Sequence, residues 1–165
     1  QNSTNGISKK DCSHPMDTTY NSAEIEAGWY DWWLQQGFFT PSEDVRSKSP
    51  DLVFSMLLPP PNVTGNLHLG HALTGAIQDS IVRWRRMKGY VTLWVPGTDH
   101  AGIATHHVVE KKLWREQGKT RHDLGRDGFV SEIWKWKQEH GHMITQQMKR
   151  LGLSLDWSKE YFTME

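Results

Sequence analysis

A short apolar segment that ends in three consecutive prolines constrains the fold of this chain more than any other feature. Residues 52 to 58 have the sequence LVFSMLL, with Pro50 before them and Pro59, Pro60 and Pro61 after them. A nearly continuous apolar run of this length is typical of a buried strand in a parallel sheet. Because prolines cannot continue a hydrogen-bonded ladder, the strand is predicted to end at Pro59.

The segments after this strand predict helices and a further strand in alternation. Apolar residues recur at helical spacing after Leu69, and a second apolar run stops before Pro96 and Gly97. Strands that alternate with helices indicate an α/β fold with a parallel sheet and right-handed crossovers. The predicted elements are a helix from Leu69 to Gly89, a strand over 90–95, helices over 103–117 and 124–151, and a candidate third strand over 153–157.

The residues before the first strand divide into a leader and a helix. Residues 1 to 19 are polar and lack periodicity, so we expect a flexible leader there. Ile25, Trp29, Trp32 and Trp33 follow the repeat of one apolar helix face. A helix is therefore predicted over 22–36. A polar loop follows this helix. Residues 20–50 are therefore predicted to be an N-terminal helix and loop that precede the α/β unit.

The composition restricts the classes of function. Lys and Arg together number 19, as do Asp and Glu, so the formal net charge is zero. A domain that binds nucleic acid mainly through charge is usually basic, so the composition gives no support for autonomous RNA binding. The single cysteine, Cys12, allows no intrachain disulfide and fits a reducing compartment. No apolar run approaches the roughly 20 residues of a membrane span, so we expect no membrane association and a cytoplasmic location, with the mitochondrial matrix as the alternative.

Two loops are expected at the edge of the sheet where ligands bind in α/β folds, beyond the carboxyl ends of the strands. The first, over 59–68, leads into a helix that begins with His68 and His71. Their spacing places both imidazoles on one helix face, and a helix N-terminus attracts phosphate. Gly70 lies between them and lets a flat ring approach the backbone. These features indicate a phosphate or nucleotide site.

Two other interpretations of the histidine pair remain open from the residues alone. A His-x-x-His pair on a helix also occurs as a packed or surface pair. Imidazoles at this spacing can also bind zinc, but a zinc site needs a third protein ligand. His100 is a candidate for that ligand, although no spacing requires it.

Longer motifs resolve this ambiguity. Residues 59–72 have the sequence PPPNVTGNLHLGHA and residues 96–105 have PGTDHAGIAT. Both are similar to signatures of the class I aminoacyl-tRNA synthetases, and within that class they resemble the valyl-tRNA synthetase family. The resemblance extends from about 20 to 165 and includes residues 20–39, 155–157 and 162–164. It implies an N-terminal helix followed, over 51–165, by the first half of a Rossmann-like parallel sheet with flanking helices, truncated before the family's editing insertion.

The resemblance also implies residue roles. His68 and His71 would hold the ATP phosphates and stabilise the charge that develops in the reaction, and Gly70 would lie against the adenine. Valine would bind between the loops, with Asp99 paired to its ammonium group. The expected ligand residues are Pro59, Pro60, Asn62 and Asp99 for valine, and His68, Gly70 and His71 for ATP, with Mg²⁺ bound to the ATP and no metal held by the protein. A carboxylate at Asp99 also suits a cap for the following helix.

The implied activity is that of a valine–tRNA ligase, which forms valyl-adenylate from valine and ATP and transfers the valyl group to tRNA(Val). Contacts to tRNA are expected mostly from domains outside this chain. The family's lysine-rich ATP loop, editing insertion and anticodon-reading domain are also outside it, so we expect the chain alone to be inactive. The whole protein is expected to be monomeric or part of a larger complex. The alternatives are a non-catalytic nucleotide-binding module and another nucleotidyltransferase of the same superfamily.

Two further features need separate interpretation. The family usually has glutamine at the position of His106, which puts any role of that glutamine in doubt here. Basic residues cluster near the end of the histidine helix, at Arg83, Arg85, Arg86 and Lys88. Cations at a helix C-terminus complement its dipole, and we favour this structural role over contact with tRNA.

Overall fold

A computed structural model of the chain describes residues 18–42, 44, 47 and 51–164. The predicted leader lies almost wholly outside these residues, as do Cys12 and Pro50. No helix in the described part of the chain is long and apolar enough to cross a membrane. The helices are α1 Ser22–Ile25, α2 Trp29–Gln35, α3 Leu69–Met87, α4 Ile103–Gln117 and α5 Arg121–Arg150, and the strands are β1 Val53–Leu57, β2 Val91–Val95, β3 Gly97–Thr98 and β4 Tyr161–Phe162.

The predicted α/β fold with parallel strands is confirmed. Strands β1 and β2 pair in parallel from Val53 opposite Val91 to Leu57 opposite Val95, and helix α3 connects them. Strands β3 and β4 form a second parallel pair, with Gly97 opposite Tyr161. A crossover helix between parallel strands buries the sheet face that it covers.

Three predicted elements need correction. The single N-terminal helix is two helices, because Gly28 has a φ of 80° and interrupts the turn between α1 and α2. The long helix starts earlier than predicted, at Arg121, because Thr120 and Asp123 form a capping box, and it has a kink at Gly125. The prediction of a strand over 153–157 is wrong, because residues 153–156 form a buried segment of non-regular backbone.

Residues 153–156 are a buried, non-regular segment beside β2, and the last strand forms only after them. One backbone bond joins this segment to β2, from Asp156 N to Trp94 O at 3.0 Å. Its polar side chains have partners within the molecule: Ser154 donates to the buried Asp79, and Oδ1 of Asp156 accepts from Ser158, whereas Oδ2 of Asp156 is buried without a partner among the described residues. A short 3₁₀ helix over Trp157–Lys159 then leads into β4.

The hydrophobic core lies below the loops that leave β1 and β2. Its members come from the strand ends, α3, α5 and the segment after α5, and they are Leu58, Val63, Val82, Trp94, Ile144, Met148, Leu153, Leu155 and Phe162. A smaller cluster of Val109, Leu113 and Phe129 joins α4 to α5. The loops of the candidate site therefore rest on close-packed residues that limit their movement.

The basic residues at the end of α3 make internal contacts. Arg83 donates to Asp79 at 2.8 Å and to Gly152 O at 2.8 Å, and Arg86 donates to Ser154 O at 2.9 Å. Two of the basic residues thus join α3 to the segment after α5. Arg83 and Arg86 therefore have structural contacts. These contacts are made with a buried carboxylate and with specific backbone carbonyls, in addition to the interaction with the helix dipole.

Candidate active site

The two loops predicted to carry the site are hydrogen-bonded to each other. Val63 N donates to Asp99 O at 3.0 Å, and Asp99 N donates to Pro61 O at 2.9 Å. These bonds place Asn62 and Asp99 opposite one another in a parallel bridge. The polar groups of the two loops therefore share one edge of the fold, at the carboxyl ends of β1 and β2.

His68 and His71 form a reciprocal cap at the start of α3. The backbone N–H of Gly70 donates to His68 Nδ1 at 3.1 Å, and the backbone N–H of His68 donates to His71 Nδ1 at 3.1 Å. The two rings stack with centroids 3.8 Å apart and an interplanar angle of 26°. The arrangement is a capping box in which two imidazoles replace the usual hydroxyl and carboxylate.

This cap fixes which ring nitrogen carries the hydrogen. Because Nδ1 of each ring accepts a bond from the backbone, the neutral ring is protonated at Nε2. The Nε2–H groups of His68 and His71 lie on the ring edges opposite the backbone bonds and can donate to a ligand. The backbone N–H groups of His68 and Gly70 at this helix start donate to the rings, so they are not free to bind phosphate directly.

The electrostatics favour a neutral His71. Burial lowers the pKa of His71 below its ordinary value of 6.5, and the neighbouring His68 lowers it further. Two protonated rings in stacked contact would repel each other and would lose their Nδ1 acceptors. A neutral His71 keeps its Nδ1 atom as the acceptor of the cap and its Nε2–H group as a hydrogen-bond donor.

Gly70 is required for the position of the His68 ring. A Cβ at Gly70 would lie 2.9 Å from His68 Cε1 and 3.0 Å from His68 Nδ1. Real Cβ atoms essentially never approach this closely, so any side chain here would displace the imidazole. This requirement is additional to the predicted adenine contact of Gly70, which stays a prediction.

The carboxylate of Asp99 is held in a polar cluster. Its Oδ1 atom accepts a hydrogen bond from Thr163 Oγ1 at 2.9 Å and lies 3.3 Å from His100 Nδ1. The side chain remains 32% exposed, which leaves it accessible to a ligand. Asp99 does not cap the following helix, because Gly102 is the N-cap of α4 and no side chain caps it.

An apolar cleft of about 80 Å³ lies between the first loop and α5. His71 reaches it from the histidine pair, and Pro59 is the one predicted valine ligand among its lining residues. The lining is completed by Leu58, Pro61, Leu67, Thr74, Met148, Leu151 and Leu153. Pro60, Asn62 and Asp99 lie on the adjoining loops, outside this cleft.

Two residues of α5 that the sequence did not single out hold the first loop. Trp136 Nε1 donates to Val63 O at 2.6 Å. Gln147 Oε1 accepts from the backbone N–H of Leu67 at 2.8 Å, directly before His68. Neither contact has a local signal in the sequence, since the partners are 73 and 80 residues apart.

His106 and the zinc alternative can now be placed. His106 lies on α4, and its ring packs edge-on against Phe129 at 5.7 Å between centroids. In the described part of the chain, no three His, Cys, Asp or Glu side chains are grouped so that they could hold a metal ion. His100 contacts Asp99 and Thr163, which makes it part of the carboxylate cluster.

The chain is similar to proteins of one enzyme class. The family profile described as tRNA synthetases class I (I, L, M and V) matches residues 28–165. The chain is 61% identical over 160 residues to a human valine–tRNA ligase and 58% identical to that of the mouse. Each alignment covers 95% of this chain and 13% of the relative. It is 54% identical over 158 residues to a human mitochondrial valine–tRNA ligase, of which it covers 15%.

A solved structure shows the same fold. The LeuRS of Agrobacterium radiobacter, determined in a ternary complex with tRNA and LeuAMS, superposes with a TM-score of 0.68. The superposition covers 89% of this chain and 16% of that one, at 22% sequence identity. At this identity the likeness concerns the fold alone. The chain spans about an eighth of the length of the human and mouse relatives that it matches.

Proposed function

The chain belongs to the class I tRNA synthetases (I, L, M and V), and from this premise we propose that it supplies the ATP-binding and valine-binding loops of a valine–tRNA ligase. The whole protein would activate valine with ATP to valyl-adenylate and then transfer the valyl group to tRNA(Val) during translation. The choice of valine within the family rests on the named relatives, which are more than half identical to the chain.

The reciprocal cap of His68 and His71 is the observation that carries the catalytic part of the proposal. When the valine carboxylate attacks the α-phosphorus of ATP, negative charge grows on the phosphate oxygens and pyrophosphate leaves. The two Nε2–H groups are directed away from the helix backbone and donate to these oxygens. Preorganised donors of this kind need no rearrangement as the charge develops, and for that reason they favour the transition state over the ground state.

Both loops supply amino-acid contacts in this proposal. The Asp99 carboxylate pairs with the valine ammonium, a charge-assisted contact that fixes the orientation of the substrate. Asn62 lies opposite Asp99 in the bridge, and Pro59 presents apolar surface to the isopropyl group. Pro60 follows Pro59 on the first loop and is the remaining valine contact in this proposal.

Magnesium would enter with the nucleotide. The described residues offer no cluster of carboxylates for a protein-held ion. Mg²⁺ keeps several of its waters and is commonly held by substrate phosphates together with one or two carboxylates. We propose that Mg²⁺ binds to the ATP phosphates, where it would neutralise part of their charge.

Partners and location follow from the same proposal. We expect tRNA contacts from parts of the protein beyond the two loops, because this chain has no net positive charge. Relatives with and without a mitochondrial designation match the chain. The higher identity to the human relative without that designation supports a cytoplasmic location, which fractionation with an antibody to this chain would test.

The deciding experiment is valine-dependent ATP–pyrophosphate exchange by the full-length gene product. We expect exchange with valine and much weaker exchange with leucine, isoleucine or methionine. Binding of ATP without exchange would indicate a non-catalytic module. Adenylyl transfer to a substrate other than an amino acid would indicate another nucleotidyltransferase, and either outcome would exclude the proposed ligase.

A further inference from the structure

The carboxylate of Asp99 in the second loop is contacted by a side chain from a distant part of the sequence, Thr163. We propose that Thr163 is a positioning residue for amino-acid recognition, whose hydroxyl holds Asp99 in one orientation and leaves Oδ2 for the ammonium group. The inference rests on the proposed function, because it assigns a role at the same site. It concerns binding of the amino acid and not the chemistry at the phosphate.

The Thr163 hydroxyl takes part in three short contacts. It donates to Asp99 Oδ1 at 2.9 Å, it accepts from the backbone N–H of His100 at 3.0 Å, and it lies 2.7 Å from His100 Nδ1. A threonine hydroxyl has one hydrogen and two lone pairs. All three are used here, so the oxygen has a complete set of partners and one allowed arrangement of hydrogens.

The arrangement of hydrogens follows from the carboxylate. An ionised Asp99 can only accept, so the single hydrogen of the Thr163 hydroxyl must point to Oδ1. His100 Nδ1 then has to donate to the same oxygen, which places the imidazole hydrogen on Nδ1. One face of Asp99 is thereby occupied by a hydroxyl and an imidazole, whereas Oδ2 has no hydrogen-bond partner among the residues that the structure describes.

The fold brings Thr163 to this place through a very short strand pair. Thr163 follows β4 directly, and its backbone N–H donates to Thr98 O at 3.2 Å. The pairing requires glycine at position 97, because a Cβ there would lie 2.6 Å from Cε1 of Tyr161. The register of β3 and β4 therefore sets Thr163 opposite Asp99, 64 residues away in sequence.

Loss of the hydroxyl should affect the ammonium contact selectively. Thr163→Val keeps the shape but leaves two His100 donors without an acceptor and frees the Asp99 carboxylate to rotate. A hydrogen bond to a charged group is among the stronger ones in proteins. We expect the KM for valine in ATP–pyrophosphate exchange to rise roughly tenfold, while the KM for ATP changes less than about twofold.

The test compares three variants of the full-length protein. Thr163→Ser keeps the hydroxyl and should retain a KM for valine within about threefold of the wild type. Thr145→Val is the matched control, since the Thr145 hydroxyl also bonds to a carboxylate, Glu160 Oε1 at 3.1 Å, and to Gly141 O, and neither partner belongs to the two loops. Inhibition by valinol, which retains the ammonium group and lacks the carboxylate, should weaken in Thr163→Val by the same factor as valine binding.

The outcomes separate this inference from the proposed function. Unchanged KM for valine in Thr163→Val would overturn the inference while leaving the ligase assignment intact. An equal rise of both KM values together with a lowered melting temperature, also seen in Thr163→Ser, would show a purely structural role and would overturn it as well. A wild-type protein without valine-dependent exchange would instead refute the proposed function, and this inference with it.

Discussion

The rings of His68 and His71 are stacked at 3.8 Å, and His71 accepts a hydrogen bond from the backbone N–H of His68. Each histidine therefore has two tasks. Its Nδ1 atom caps the helix, and its Nε2–H group is the proposed donor to the ATP phosphates. Because the two tasks use opposite edges of the ring, substitutions can separate the stability of the helix from the chemistry of the site.

The first prediction concerns catalysis by His71. His71→Ala removes both the cap acceptor and the ligand donor, so we expect the rate of valine activation to fall by about 10²–10³-fold. The same change should cost about 0.5–2 kcal/mol of stability through the lost cap. Binding of valine, measured by calorimetry, should weaken far less than the rate falls. Equal losses in rate and in valine affinity would contradict a role in the transition state.

The second prediction concerns the pH dependence of stability. Burial, followed by the charge of His68, lowers the pKa of His71 in the folded state below 6.5. The folded protein thus binds this proton less tightly than the unfolded chain, and the stabilisation is present above pH 6.5 and is lost as the pH falls below it. Protonation also removes the Nδ1 acceptor that caps His68 N–H.

Denaturant unfolding of the wild type and of His71→Gln checks this sign. Glutamine at this helix position supplies an uncharged acceptor for the cap, as it does in ordinary capping boxes. The free energy of unfolding should therefore decline less steeply in His71→Gln than in the wild type between about pH 7 and 5. Parallel profiles for the two proteins would show that His71 does not contribute to the acid loss.

The third prediction separates Gly70 from the other helical glycines. Gly70→Ala forces the His68 ring out of its place, since the new Cβ would lie 2.9 Å from Cε1. The gain in helix propensity, up to about 1 kcal/mol, offsets the loss of the cap. We expect the net change in the free energy of unfolding to be no more than about 1 kcal/mol, which keeps the melting temperature within a few degrees of the wild type. The rate of valine activation should fall more than about tenfold.

Gly141→Ala provides the control for this change. Gly141 lies inside α5, and a Cβ there would meet no atom within 4 Å. The same substitution should stabilise the protein by about 0.5–1 kcal/mol and leave the activation rate unchanged. If Gly70→Ala retained full activity, the ring position of His68 would not be required for the reaction.

The sequence predicted the elements whose signals are local. The apolar run before Pro59 and the helical repeat after Leu69 correspond to β1 and α3, and the rule for carboxyl ends of parallel strands predicted that the two loops would share one edge, where Asn62 and Asp99 form a bridge. In contrast, β3 and β4 contain two residues each, too few for any periodicity. Residues 162–164 are part of the family resemblance, but no local pattern indicates the contact of Thr163 with Asp99.

The wrong elements have physical causes as well. Residues 153–157 alternate apolar and polar side chains as a half-exposed strand does, yet Ser154 and Asp156 are both buried. Ser154 bonds to Asp79, and Asp156 Oδ1 accepts from Ser158, so the alternation here reflects polar partners inside the molecule rather than a solvent-facing side. Near the N-terminus the spacing of Ile25 and the tryptophans is that of one uninterrupted helix. The positive φ of Gly28 divides this segment into α1 and α2.

The fourth prediction concerns the support of the histidine loop by Gln147. Gln147→Leu removes the acceptor for Leu67 N and the donor to Asn66, whereas Gln147→Glu keeps an acceptor. We expect the leucine variant to lower the activation rate about tenfold through misplacement of His68, and the glutamate variant to lose less. Gln146→Leu, an exposed neighbour on the same helix, should change neither rate nor stability appreciably. A loss of equal size in both leucine variants would point to a general effect on α5.

The last prediction concerns the attachment of α2 to the core. The Tyr30 hydroxyl donates to Leu153 O at 2.7 Å and accepts from Trp157 Nε1 at 2.7 Å, and burial raises the pKa of Tyr30 to about 12. Tyr30→Phe leaves both partners unsatisfied and should lower stability by about 1–3 kcal/mol. Tyr20→Phe, which removes an exposed hydroxyl bonded to Glu26, should leave the free energy of unfolding nearly unchanged.

The raised pKa of Tyr30 also fixes how this contribution depends on pH. An acid whose folded pKa exceeds its unfolded value of 10.0 stabilises the fold below pH 10, and that stabilisation is lost as the pH rises towards 12. Urea unfolding at rising alkaline pH should therefore show a loss of stability in the wild type that is reduced in Tyr30→Phe. If the wild type and Tyr30→Phe lost stability in parallel above pH 10, ionisation of Tyr30 would not be the cause of the alkaline loss. The hydrogen bond from Tyr30 to Leu153 O would then be weaker than its geometry indicates.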